Sequence, residues 1–257
     1  MGNAVRLYPL DAPTMAVRRS TLVSGLTDEH IIRIPVPAFV IEHRDGLILF
    51  DAGLDPDAAI DPVAVYDERA HRLQLRFTPE QRVDRQIRAA GHEPDAVTRV
   101  ILSHLHFDHV GAAHLFPNAS VLVGPGELAY AHRGGDPYCR VEDINRLARC
   151  RIAELDPTDT DLFGDGSVVV LWMPGHTPGH LSVFVRLPHR SWLLTGDAVH
   201  LHTALVSESP FPHDHDPSNA VASIRRIKRL AVQYEASIWV SHDPDDWARW
   251  GSSSGLA

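Results

Sequence analysis

Apolar residues along this chain gather into short runs that stop on polar or small residues. RIPVPAFVIEH (33–43) is followed by GLILFDAG (46–53), TRVILSH (98–104), SVVVLWMPGH (167–176), HLSVFVRLP (180–188), SWLLTGDA (191–198) and ASIWVSHD (236–243). Each run reads as a strand of about four to eight residues. Helical patterns lie between them. Thr78-Pro79-Glu80-Gln81 opens a helix with Val83, Ile87 and Ala90 on one face, and Gly91 ends it. Asp216-Pro217 opens a second, striped by Val221, Ile224, Ile227, Leu230, Ala231 and Tyr234, wide enough to pack on a sheet. Such alternation predicts an α/β or α+β class with helices covering sheets.

The stretches 55–77 and 131–160 are less periodic and read as loops with short helices that shape the mouth of a site. No Gly- or Ser-rich linker, short repeat or low-complexity block interrupts the chain before GSSSGLA, a small, polar ending expected to be loose. A single domain over residues 1–257 is the simplest organisation.

Composition narrows the function. With 44% hydrophobic and 22% charged residues in 257, the chain can bury a large core. A formal charge of −9 argues against a nucleic-acid partner, and Arg225-Arg226-Ile227-Lys228-Arg229 reads as a solvated helix face. Cys139 and Cys150 form no CxxC, no apolar leader precedes residue 20, and no run is long enough to span a membrane. A soluble protein of the cytoplasm is expected.

Histidine is the outlier, at 17 residues. SHLHFDHVG places His104, His106, Asp108 and His109 directly after the apolar run VTRVIL, and three more strand ends carry ligand-type residues: PGHTPGH with His176 and His180, GDA with Asp197, and SHD with His242. A lone histidine at a strand end is more often a hydrogen-bonded structural residue, but HxHxDH followed by three further ligand-bearing ends points to metal. His104 and His106 lie two apart, so an extended backbone turns both imidazoles to one side. One ion rarely takes seven protein ligands, whereas two ions sharing a carboxylate can. Nitrogen and oxygen donors without a nearby thiolate suit zinc, and also manganese, iron or cobalt. Which of His176 and His180 binds stays open on spacing alone. His213 and His215, in PFPHDHDP, imitate a ligand pair but precede a helix cap and read as loop residues.

HLHFDH, PGHTPGH, GDA and the late SHD together resemble the metallo-β-lactamase superfamily, from about Ile32 to Trp247. That resemblance implies a four-layer αββα sandwich with the site at the sheet edge. It implies that His104, His106 and His180 hold one metal, that Asp108, His109 and His242 hold the other, and that Asp197 bridges them. His176 and Asp51 would then support the ligands from behind. RIPVPAFVIEHRDGLILFDAG, VDRQIRAAG, VILSHLHFDHVG, LFPNASVLV and SHDPDDW look most like the N-acyl-homoserine lactonases that quench bacterial quorum signals. Those enzymes open a lactone with a bridging hydroxide, and Asp108 is suited to carry the proton to the leaving oxygen.

Many such lactonases carry a substrate-contacting tyrosine three residues after the bridging aspartate; here that position is His200. An imidazole can replace the phenol as a donor, with a pH dependence a phenol lacks. Phe107, beside the ligands, is the candidate wall of an acyl groove. The partner implied is a small lactone, and a homodimer is carried as an assembly that no residue pattern specifies. The alternative is another hydrolase of the same superfamily acting on a different lactone, ester or thioester. A glyoxalase II-like thioesterase would be expected to carry a basic helical portion after His242, where this chain has fifteen residues. A flavodiiron-type module would replace one motif histidine with Glu.

Overall fold

The computed structural model describes residues 4–251 and Leu256. Thirteen strands are present among them: β1 (Ala4–Pro9), β2 (Thr14–Arg18), β3 (Ile31–Pro35), β4 (Phe39–His43), β5 (Gly46–Phe50), β6 (Val97–Ile101), β7 (Ser120–Val123), β8 (Arg151–Glu154), β9 (Thr160–Asp161), β10 (Val168–Trp172), β11 (Leu181–Arg186), β12 (Ser191–Leu194) and β13 (Ala236–Trp239). Helices are α1 (Pro62–Tyr66), α2 (Glu68–Arg72), α3 (Val83–Ala89), α4 (Phe107–Val110), α5 (Glu127–Arg133), α6 (Val141–Leu147), α7 (His202–Ser207), α8 (Pro217–Gln233) and α9 (Pro244–Trp250). One sheet runs β1-β4-β5-β6-β7-β8, a second β13-β12-β11-β10-β9, and β2 and β3 form a separate hairpin.

Period-two alternation distributes the side chains into three cores. Phe39, Ile41, Ile48, Phe50 and Ile101 point from the first sheet to meet Val168, Val170, Val183, Trp192 and Trp239 of the second. The intervening residues Val40, Leu49, Val100 and Val121 face outward against Ile87, Ile144 and Leu147 of the helices. On the far side, Leu171, Phe184 and Leu193 pack against Ile224 and Ile227 of α8. Helix, sheet, sheet, helix is therefore the layering that these patterns enforce. Each fully buried aliphatic or aromatic side chain contributes about 1.5–3 kcal/mol.

Most runs read from sequence are strands here. The Thr78 helix is not continuous: Pro79–Gln81 forms one tight turn, Arg82 is extended (φ −61°, ψ 132°), and α3 starts at Val83. Stretch 131–160 holds α6 and the edge strand β8 as well as loops; four residues paired on one side are too few to show a period. Asp216 caps α8 as expected, its carboxylate accepting the N–H groups of Ser218 and Asn219. His43 is buried, stacked on Phe163 at 3.6 Å between ring centroids. The loose-tail expectation lies outside the described residues except at Leu256, whose backbone pairs with Leu7. Among the described residues no helix is long and apolar enough to cross a membrane.

Two features of the fold set up the site. Asp55 receives Arg146, accepts into the same buried network as Arg140 and Asp143, and its N–H donates to Tyr66 Oη at 2.8 Å; this anchors α1 and α2 to α6. Gly111, the residue after α4, lies against the backbone of 53–55. A Cβ there would meet Asp55 N at 2.1 Å and Leu54 C at 2.4 Å, so only glycine lets the HxHxDH segment seat. Gly111→Ala should destabilise the fold by about 2–3 kcal/mol, a fall of roughly 5–10 °C in Tm. An unchanged melting curve would show that the contact is soft.

Candidate metal centre

Five strand ends converge on one edge of the sandwich: β5 leads to Asp51, β6 to residues 103–109, β10 to His176, β12 to Asp197 and β13 to His242. The imidazoles of His104, His106, His109, His176 and His242 and the carboxylates of Asp108 and Asp197 are all buried there. Donor atoms lie within 4.8 Å of one another in the sets His104–His106–His176, His104–His109–Asp197 and Asp108–His109–His242.

Asp197 stands between these groups. Its Oδ1 is 3.3 Å from His109 Nε2 and 3.1 Å from His242 Nε2, while its Oδ2 is 3.9 Å from His104 Nε2 and 3.7 Å from His176 Nε2. Asp108 Oδ2 lies 3.7 Å from both His109 and His242 Nε2. One carboxylate thus offers one oxygen to each side.

The opposite nitrogen of each imidazole is tied down. His104 Nδ1 faces Ser103 Oγ at 3.0 Å, and Ser103 Oγ donates to Asp51 at 2.9 Å. His109 Nδ1 donates to Asp51 at 2.8 Å, His242 Nδ1 to the Pro35 carbonyl at 2.7 Å, His176 Nδ1 to Asp214 at 2.8 Å and His106 Nε2 to Asp136 at 3.1 Å. These contacts select the tautomers and aim the remaining lone pairs inward. Asp51 takes φ 57°, unusual for a non-glycine residue, to bring its carboxylate under both motif histidines.

The donor set fits divalent cations. His104 Nε2, His109 Nε2 and Asp197 Oδ1 are buried with no hydrogen-bond partner in the protein, an arrangement costly without a ligand. His176 Nε2 and His106 Nδ1 face each other at 3.2 Å; with their other nitrogens donating, two lone pairs meet, which a shared cation relieves. Burial, reinforced by neighbouring imidazoles, pushes His104 and His176 well below the ordinary imidazole range, so both are neutral donors. Burial works to raise Asp197, but His242, His109 and His200 outweigh it and keep it a carboxylate. At His109 and His242 burial is overcome by Asp197 with the other nearby carboxylates, which raise both; the centre demands positive charge.

One assignment from the sequence is reversed in this geometry. His180, expected to ligate, has its Nε2 occupied by the Asp197 N–H at 2.9 Å and packs beneath Gly196. His176, expected to support from behind, is the residue that joins His104 and His106. Gly175 explains the difference: its φ of 143° and close approach to Ala220 turn the loop so that His176 faces the edge, whereas His180 is already leading into β11.

Above these residues lies a cavity of about 660 Å³, within the range of small-molecule sites. His106, Phe107, Asp108, His176, Asp197, His200 and His242 line it at the sheet edge; Met15, Val17, Leu22, Ile31 and Ile34 of the β2–β3 region, with Arg69, Arg72, Tyr138 and Phe211, form its walls. Both irregular stretches therefore contribute to the mouth. Phe107 packs on Tyr66 at 5.3 Å and under the Arg69 guanidinium at 4.7 Å. His200 Nε2 is 3.1 Å from Asp197 Oδ2, and its ring stacks on Phe211 at 4.5 Å.

Several supporting residues escaped sequence reasoning. Asp214 sits between His213 and His215, the pair set aside as loop residues, and holds His176; the run of ligand-type residues was the available signal. Asp136 and Glu127 gave none. Glu127 is buried, accepting the N–H of Leu105 at 3.1 Å and of Gly179 at 3.0 Å, and so ties the two histidine loops together.

Comparison with known proteins agrees with this architecture. The sequence profile of the metallo-beta-lactamase superfamily matches residues 31–234. The N-acyl homoserine lactonase AttM of Rhizobium radiobacter is 30% identical over 95% of both chains, and the N-acyl homoserine lactonase AiiA of Bacillus thuringiensis subsp. kurstaki is 31% identical over 93% of both. A solved N-acyl homoserine lactone hydrolase, holding N-hexanoyl-L-homoserine at its catalytic metal centre, superposes with a TM-score of 0.84 at 28% identity over 96% of each chain. A dizinc quorum-quenching lactonase, AidC, shares the fold at 18% identity and a TM-score of 0.70, covering 95% of this chain and 92% of its own. By its profile, its relatives and its layered sheets, this chain belongs to the metallo-beta-lactamase superfamily.

Proposed function

We propose that the protein is a metal-dependent hydrolase that opens the lactone ring of N-acyl-homoserine lactones, and so quenches quorum signals. The observation that carries this reading is the cluster of seven inward-facing donors, five of them lining a cavity whose wall carries the apolar side chains Met15, Val17, Leu22, Ile31 and Ile34, room for a polar ring beside a hydrocarbon tail. Similarity to lactonases over nearly the whole chain supports it.

In this reading His104, His106 and His176 would hold one cation and Asp108, His109 and His242 a second, with Asp197 available to either. Two divalent cations there, zinc being the expected ion, would lower the pKa of a coordinated water toward neutrality and polarise the ester carbonyl. Asp108 carries the proton toward the departing alkoxide. Phe107 and the β2–β3 residues exclude water along the acyl chain. His200 closes the floor: with its Nε2–H given to Asp197, a neutral ring keeps only an acceptor, so donation to a carbonyl requires the protonated form. Free Cys139 and Cys150 suit a reducing compartment, and we place the enzyme in the cytoplasm.

Zinc-loaded protein should open N-acyl-homoserine lactones with kcat/KM at least about tenfold above that for a thioester or a cephalosporin, with two ions per chain by elemental analysis; a thioester preference would move the assignment to the glyoxalase II-like alternative. His176→Ala should lose about one ion per chain and reduce activity at least a hundredfold. His180→Ala should keep both ions and lose mainly stability. Metal loss in the second variant but not the first would restore the order read from sequence. For His200, the rate should fall about tenfold in His200→Ala at the acidic end of the pH profile alone and recover in His200→Tyr; identical profiles in all three proteins remove it from the mechanism.

A further inference from the structure

The segment Asp136-Pro137-Tyr138 is held to the metal centre at several points. Asp136 Oδ2 accepts from His106 Nε2 at 3.1 Å and from Tyr130 Oη at 2.7 Å, while its Oδ1 accepts the Tyr138 N–H at 2.8 Å. The Tyr138 carbonyl accepts the Phe107 N–H at 3.0 Å, and the Pro137 carbonyl accepts Arg69 Nη2 at 2.5 Å. One carboxylate therefore orients a metal-centre histidine and the backbone of Tyr138 together.

The ring that this backbone presents lines the cavity and packs on His106 at 5.2 Å between centroids. Its neighbours on the cavity side are Phe211 at 6.1 Å and His213 at 6.2 Å. The hydroxyls of two nearby tyrosines are engaged: Tyr66 Oη accepts the Asp55 N–H and Tyr130 Oη donates to Asp136. His200 directs Nε2 at Asp197. The Tyr138 hydroxyl makes no hydrogen bond among the described residues. A pinned backbone carrying an unengaged phenol beside the reacting groups is a preorganised donor.

We infer that Tyr138 is a catalytic residue whose hydroxyl donates a hydrogen bond to an oxygen of the scissile ester. It rests on the lactonase reading above. Burial, reinforced by the carboxylates of Asp136 and Asp108, pushes the Tyr138 phenol above its ordinary value, so it stays a donor throughout neutral pH. Because charge grows on the ester oxygens as the ring opens, the bond strengthens in the transition state and acts on kcat.

The test compares wild type, Tyr138→Phe and Tyr234→Phe, a distant exposed tyrosine, on N-hexanoyl homoserine lactone, with metal content and Tm measured on the same samples. Tyr138→Phe should lower kcat about ten- to a hundredfold, with two ions and the melting temperature retained, while Tyr234→Phe matches wild type. A kcat within twofold of wild type overturns the assignment, whatever happens to KM. A wild type that opens no acyl-homoserine lactone sinks the lactonase reading instead; Tyr138 is then judged by the same kcat ratio on the ester or thioester that is cleaved. If none is cleaved, both fall.

Discussion

Two carboxylates and five imidazoles are gathered at a buried edge of the sandwich, where the carboxylates have to be matched by positive charge, from cations or from protonated imidazoles. Asp197 concentrates the problem: it remains ionised only because histidines surround it, one oxygen toward each group. Everything around the centre can be understood as keeping that unfavourable gathering in place. Asp51 accepts its strained backbone to hold His109 and, through Ser103, His104. Glu127, Asp136 and Asp214 each spend a buried or half-buried carboxylate on orienting a loop or a ring.

The sandwich supplies the rigidity for this. Strand ends on one edge are fixed by ladders and by the shared core between the sheets, so seven donors from distant parts of the chain meet with little freedom to relax. Glycines at Gly111 and Gly175 let the ligand-bearing turns approach their neighbours closer than any side chain would allow. The cavity wall is assembled differently. It comes from the irregular 55–77 and 131–160 stretches and the β2–β3 hairpin, joined by the Asp55–Arg146 network and the Arg69 clamp on Pro137. The buried donors thus sit on the stiff edge and much of the cavity wall on the appended segments, so the wall can vary without moving the donors.

The sequence alone determined the layered class, most of the strands, the capped helix from Asp216 and six of the seven residues that the structure turns inward. It could do so because period-two runs ending in ligand-type residues are local signals, and a sheet brings strand ends together regardless of the path between them. Spacing could not choose between His176 and His180, four apart in the same loop. That choice fell to the crowding of Gly175 on Ala220 and to the Asp197 N–H that occupies His180. Nor could it reveal Asp136, Asp214 or the unengaged hydroxyl of Tyr138, since an isolated acid or phenol in a loop carries no period. Their roles exist only once the loops are packed, because a hydrogen bond depends on which groups meet in space and not on how far apart they stand along the chain.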